Sequence, residues 1–149
     1  MVFQVVGAFF AVFGFSIYLD VPKKYLRYCG YIGAIGWFVY LMAVKKMNVL
    51  MATFLATATI AFISHICARI FKAPVTVFLI AGIITLVPGA GMYRTVSQIL
   101  LGNRSLAMEY LQETIQIAGM IALAIFIIDA IFRMIQAKKW KEKLPVKHK

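Results

Sequence analysis

Cysteine and histidine are nearly missing from this chain, whose 149 residues include two of each. Cys29 and Cys67 both lie inside apolar runs and His148 lies in the tail, so neither a disulfide framework nor a metal-ligand set can be assembled. Enzyme signatures are absent as well: the sequence has no HExxH, no GxSxG and no phosphate-binding loop. Gly89 and Gly91 make a GxG, but no strand precedes it and no βαβ unit surrounds it, which removes nucleotide binding. The chain reads as a non-enzyme without a cofactor. Polar stretches between the apolar runs are too short to fold by themselves, so residues 1–149 form one membrane domain with no linker. Acidic side chains number five against sixteen basic ones, a formal net charge of +11. In a soluble protein that balance would suggest nucleic acid. Here the basic residues gather in short loops and in the tail Gln136 to Lys149, while the aromatics sit in the apolar runs and form no basic stacking platform.

What the chain does have is apolar length. Hydrophobic residues make up 63% of it and the mean hydropathy is +0.89, against roughly 45–50% apolar content in soluble domains. Five stretches approach the roughly 20 residues that span a hydrocarbon core: Val2 to Leu19, Tyr28 to Val44, Val49 to Ala68, Ala73 to Met92 and Thr114 to Met134. The first two are short, and their aromatic and lysine flanks let them span by interfacial anchoring and snorkelling. The N-terminus lacks a charged leader, so the first stretch reads as a retained helix. With five spans, one side receives three, two and seven basic residues, from Asp20 to Arg27, Arg69 to Lys72, and the tail with Arg133; the other holds Lys45, Lys46, Arg94 and Arg104. The positive-inside rule then puts the C-terminus in the cytoplasm and the N-terminus outside, with a basic cytoplasmic tail over residues 135–149.

The fourth stretch carries the most information. It reads APVTVFLIAGIITLVPGAGMYR and holds Pro88, Gly89 and Gly91 inside an apolar run, where a continuous helix does not want them. Backbone freed from helical bonding in a bilayer must line a cavity or be buried in protein, so an interruption is predicted at Pro88-Gly89. Small residues recur where helices could approach: Gly7, Ala11 and Gly14; Gly30, Gly33 and Gly36; Ala52 and Ala56. Beyond Arg94 the chain turns amphipathic through Val96, Ile99 and Leu100. Gly102 and Asn103 then supply a turn, with Asn103 or Ser105 as cap of a helix that, unbroken to Lys143, would be about twice the core thickness and would project or bend at Gly119.

Few ionisable groups fall in or near the apolar runs. Glu109, Glu113 and Gln116 share a helix face, and two carboxylates one turn apart raise each other's apparent pKa, which suits proton coupling; the competing reading is a solvated helix end. Asp129 and Arg133 form an i, i+4 pair that neutralises itself. His65, beside Ser64 and one turn before Arg69, is an intramembrane histidine and a proton-coupling candidate.

Three blocks taken together, VPKKYLRYCGYIGAIGW from Val21, SHICARIFKAPVTVF from Ser64 and GIITLVPGAGMYRT from Gly82, resemble the threonine/serine exporter (ThrE) family, and within it the small YjjB-like subunit. Pro88, Gly89 and Tyr93 match the family's PG-containing run and following aromatic, whereas Thr85 and Ala81 stand where relatives often have proline, implying a milder break. The resemblance implies a half-transporter in the bacterial inner membrane that works beside a larger YjjP-like subunit and exports threonine, serine or dicarboxylates such as succinate. The resulting expectation is an all-α integral membrane protein of about five transmembrane helices with a long C-terminal helix. Its substrate site would comprise Pro88, Gly89, Gly91, Tyr93 and Arg94, with no metal. A scaffold or assembly subunit and a small self-associating channel are the rival readings.

Overall fold

A computed structural model describes residues 1–143, with side chains placed as far as residue 137. It contains six helices and, among the described residues, no strand: α1 (Val2–Tyr18), α2 (Leu26–Ala43), α3 (Val49–Phe71), α4 (Val75–Ile83), α5 (Gly89–Leu100) and α6 (Arg104–Lys143). Each boundary has a local cause. Asp20 turns left-handed at φ 53° after α1, with Pro22 beyond it. Asn48 caps α3 by accepting the Met51 N–H at 3.0 Å, and Lys72 ends that helix in the left-handed region at φ 50° before Pro74. Gly102, at φ 78°, makes the turn into α6.

The first three expected spans coincide with α1, α2 and α3 to within a few residues. The fourth does not, because the chain leaves the helix at Ile84 and resumes it only at Gly89. Pro88 explains both edges: it cannot donate a backbone hydrogen bond, and its ring disfavours helical geometry at Val87. The helix is thus interrupted at the predicted place with Thr85 inside the break. The second half continues to Leu100, well past the expected end at Met92. The last expected span, Thr114 to Met134, lies wholly inside α6, a helix of 40 residues that passes through Gly119 without interruption. At 1.5 Å per residue α6 is about 60 Å long. The part of the expected tail after residue 143 lies outside the described residues.

Successive helices α1 to α4 run up and down. Lys45 Nζ just after α2 lies 3.1 Å from Met1 Sδ, the Tyr25 ring at its start meets Phe71 at the end of α3 at a tilt, and Phe78 of α4 meets the same Phe71. Small residues set the spacing. A Cβ on Gly33 would collide with Val12, one on Gly36 with Ile60, and one on Gly82 would meet Ile60 and Ile32 at 2.8 and 2.9 Å, so α2 is pressed between α1 and α3, with α4 against α2 and α3. Gly7 and Gly14 have open space around them and set no contact. Phe78, Ile32, Ile60 and Val12 fill the core.

Helix α6 runs parallel to α3: Val49 and Thr53 share a cavity with Glu113 and Thr114, while Phe62 and His65 pack on Phe132. Its N-terminal part pairs with α5 as an antiparallel hairpin, Gly91 against Thr114 and Gln98 against Asn103. Val49–Phe71 and Arg104–Ala137 are, among the described residues, the two helical stretches long and apolar enough to cross a membrane, and Val2–Tyr18 is a shorter apolar helix. Only 17% of the most apolar window of α6 is buried. Its exposed Ile115, Leu123, Phe126, Ile131 and Met134 form an apolar surface of the kind that marks contact with a membrane or another protein.

Candidate functional site

The break between α4 and α5 opens a cavity of about 280 Å³, close to the roughly 300 Å³ lower end of small-ligand clefts. Trp37 and Tyr40 of α2, Thr53 of α3, Thr85 and Pro88 of the break, Gly91 and Arg94 of α5, and Tyr110, Glu113 and Thr114 of α6 line it. Three threonine residues, two tyrosines, the Glu113 carboxylate and the Arg94 guanidinium therefore line a wall that is otherwise apolar. Trp37 and Thr85 also line a neighbouring cavity against Gln4, Gly7 and Ala11 of α1.

Helix α5 presents its N-terminus to this space. Pro88 occupies the cap position with no side-chain hydrogen bond, and although Gly89 N–H donates to the Val87 carbonyl at 2.8 Å and Met92 N–H to that of Pro88 at 3.1 Å, the amides of Ala90 and Gly91 have no backbone acceptor. Free first-turn amides and the positive end of the helix dipole favour a carboxylate or other anion. Thr85 Oγ1 is buried without a partner at the same place. Thr53 and Thr114, by contrast, donate to the Val49 and Tyr110 carbonyls at 2.8 and 2.7 Å and keep acceptor capacity toward the cavity.

The residues expected from sequence are brought together in part. Pro88, Gly91 and Arg94 line the cavity. Gly91 is the close approach: a Cβ there would collide with Thr114 Oγ1, so this glycine lets α5 lie on α6. Gly89 adjoins the cavity at the helix start, but a Cβ on it would meet nothing within 4 Å, and neither glycine has positive φ. Arg94 sits with its guanidinium carbon 5.8 Å from the centre of the Tyr110 ring, a cation–π arrangement that holds it over the cavity mouth. Tyr93 points away and is 75% exposed. Of the acidic pair, Glu113 lines the cavity whereas Glu109 is exposed on α6 outside the set that does. Trp37, Tyr40, Thr53 and Thr114 were not assigned to the site from the sequence, and Thr85 was read only as a replacement for proline; for the threonines the signal was present as hydroxyls placed in otherwise apolar runs.

His65 lies elsewhere, at the opposite end of the bundle. Its ring is buried and stacked on Phe132, with centroids 4.4 Å apart and planes 7° from parallel. Nε2 faces Asp129 Oδ1 at 3.6 Å, and Arg133 Nε takes the other carboxylate oxygen at 2.6 Å. The expected Asp129–Arg133 pair is thus extended by a histidine from another helix. Arg69 completes the group, with its guanidinium carbon 4.6 Å from the centre of the Phe132 ring. No group of His, Cys, Asp and Glu that could hold a metal occurs among the described residues.

A family model described as "Threonine/Serine exporter, ThrE" matches residues 4–131, nearly the whole described chain. Among curated proteins, an uncharacterized protein of Haemophilus influenzae is 34% identical over 83 residues, covering 54% of this chain and 28% of the relative. The chain therefore spans well under a third of the length of that relative. No solved structure matches it. The match includes α1 to α5 and α6 as far as Ile131, and with it the broken helix and every cavity residue, so the chain belongs to the threonine/serine exporter (ThrE) family.

Proposed function

We propose that the protein is the small membrane subunit of an exporter of threonine, serine or chemically similar carboxylates, dicarboxylates such as succinate included. The observation that carries this reading is the cavity at the α4–α5 break, where uncapped amides of α5, Arg94 and the hydroxyls of Thr53, Thr85 and Thr114 converge. A carboxylate fits the amides and the guanidinium; an amino or hydroxyl group fits Glu113 and the threonines. Discontinuous helices whose half-helix N-terminus faces an anionic substrate are a recurrent transporter device.

In this reading α1, α2, α3, α4 with its break, and α6 are five spans of the bacterial inner membrane. The N-terminus is outside, the C-terminus cytoplasmic, and the α5–α6 hairpin lies at the outer surface. The chain acts with a larger YjjP-like subunit, which supplies the remaining walls: five spans carry no inverted repeat of their own, and the outer row of α6 is free to meet another membrane protein or lipid. Radiolabelled threonine efflux from liposomes tests this. The co-purified pair should transport and the chain alone should not; full efflux by the chain alone would overturn the two-subunit reading, and no efflux of threonine, serine or succinate by the pair would overturn the exporter reading.

A further inference from the structure

The described residues include three buried side-chain hydroxyls with no hydrogen-bond partner in the protein: Thr85 at the cavity, and Thr57 and Ser64 on α3. Other hydroxyls of α3 and α6 donate to the carbonyl four residues back, as Thr53, Thr59 and Thr114 do. Thr57 and Ser64 do not, although both have 0% exposure. A buried hydroxyl left unpaired costs about 1–3 kcal/mol, and polar groups in a native interior are otherwise satisfied by water or a ligand. Thr53, Thr57 and Ser64 occupy i, i+4 and i+11 of α3, which is one helix face. That face begins at the cavity, through Thr53, and ends beside His65, where the His65–Asp129 pair joins α3 to α6.

Resting on the exporter reading for its physiological use, we propose that the His65–Asp129 pair is a proton-binding site and that Thr57 and Ser64 carry water between it and the cavity. The imidazole takes one proton and becomes an imidazolium facing the Asp129 carboxylate; releasing that proton restores the neutral ring, and no other bond changes. The groups that face the pair set its balance. Arg133 on α6 holds the second carboxylate oxygen, and Arg69 on α3 stands over Phe132. Helix α2 brings to this end Tyr25, whose hydroxyl donates to the Phe71 carbonyl at 3.4 Å, with Lys24 above its ring; α4 brings no titratable side chain. Arg133 and Arg69 oppose a further positive charge and Asp129 favours it, so occupancy responds to any movement of α6 on α3. Coupling requires that kind of site.

Two measurements separate the proton site from the exporter reading. In a His148→Gln background, 15N-histidine NMR of the detergent-solubilised protein reads His65 alone. A titration that shifts in Asp129→Asn is expected, and a ring that keeps one protonation state from about pH 4 to 10, or one that titrates identically without Asp129, overturns the proposal whatever the transport result. In liposomes holding the two-subunit complex, His65→Gln and Asp129→Asn should retain threonine exchange at symmetric pH and lose accumulation driven by a pH gradient. Thr57→Val with Ser64→Ala should slow the gradient-driven mode alone. Undiminished gradient-driven accumulation in His65→Gln overturns the proposal. Retained exchange shows that the variants fold, and a wild-type complex without exchange counts against the exporter reading while NMR still decides the proton site.

Discussion

Replacing Gly89 and Gly91 by alanine should move the stability of α5 in opposite directions. Both glycines lie in the first turn of α5 and neither has positive φ, so both gain from alanine by helix propensity, about 0.5–1 kcal/mol. Gly89→Ala keeps that gain, because its Cβ meets nothing within 4 Å. Gly91→Ala drives a methyl into Thr114 Oγ1, and overpacking of that kind costs about 1–3 kcal/mol. The net loss is up to about 2.5 kcal/mol, each kcal/mol being about a fivefold change in the open population. Because α5 packs on α6 and on no other helix, the change should appear as local opening, read by hydrogen exchange of the α5 amides. Exchange should slow in Gly89→Ala and quicken in Gly91→Ala. In a Thr114→Ala background the nearest remaining atom is the residue 114 Cβ at 3.5 Å, an ordinary contact, and Gly91→Ala should then slow exchange as well. Equal exchange in the two single variants, or no rescue in the double, would refute the close approach of α5 to α6.

Asn48→Ala removes the acceptor of the Met51 N–H and should lower stability by about 1 kcal/mol, measured by thermal unfolding in detergent; an unchanged midpoint would show the cap to be idle. Gly36→Leu should prevent folding or lower the midpoint sharply, since even a Cβ collides with Ile60, whereas Gly14→Leu, with open space around it, should leave the midpoint within a few degrees. A cysteine at Asn48, in a chain freed of Cys29 and Cys67, should react with an impermeant thiol reagent from outside the cell. Reaction only after permeabilisation would reverse the orientation drawn from the basic residues.

Much of the helical frame was legible because local chemistry sets it. Apolar length placed α1, α2 and α3, and Gly102 with Asn103 marked the turn into α6. Pro88 announced the break, but its start at Ile84 depends on how Pro88 constrains the residue before it and on the turn that closes through the Leu86 N–H to the Ile83 carbonyl. What stayed hidden were pairings between distant positions. No periodicity links His65 to Asp129, 64 residues apart, or says that Gly91 meets Thr114 while Gly89 meets nothing. Tyr93 and Arg94 are adjacent in sequence and were read as neighbours in one site, yet successive helix residues point about 100° apart, and only Arg94 turns to the cavity. Thr85, read from the sequence only as standing in place of a proline, also supplies a buried hydroxyl inside the break.

If the cavity at the break holds the substrate carboxylate, Arg94 is the side chain whose replacement efflux should register. Threonine efflux should be measured with the larger subunit present and with equal protein levels in wild type, Arg94→Lys and Arg94→Gln. A guanidinium held over Tyr110 can take a carboxylate through two parallel hydrogen bonds, a geometry that lysine cannot reproduce although it keeps the charge. Arg94→Lys should weaken apparent affinity about tenfold, equivalent to about 1.4 kcal/mol, and Arg94→Gln should abolish efflux. Wild-type kinetics in both variants would contradict this reading and return Arg94 to the membrane surface.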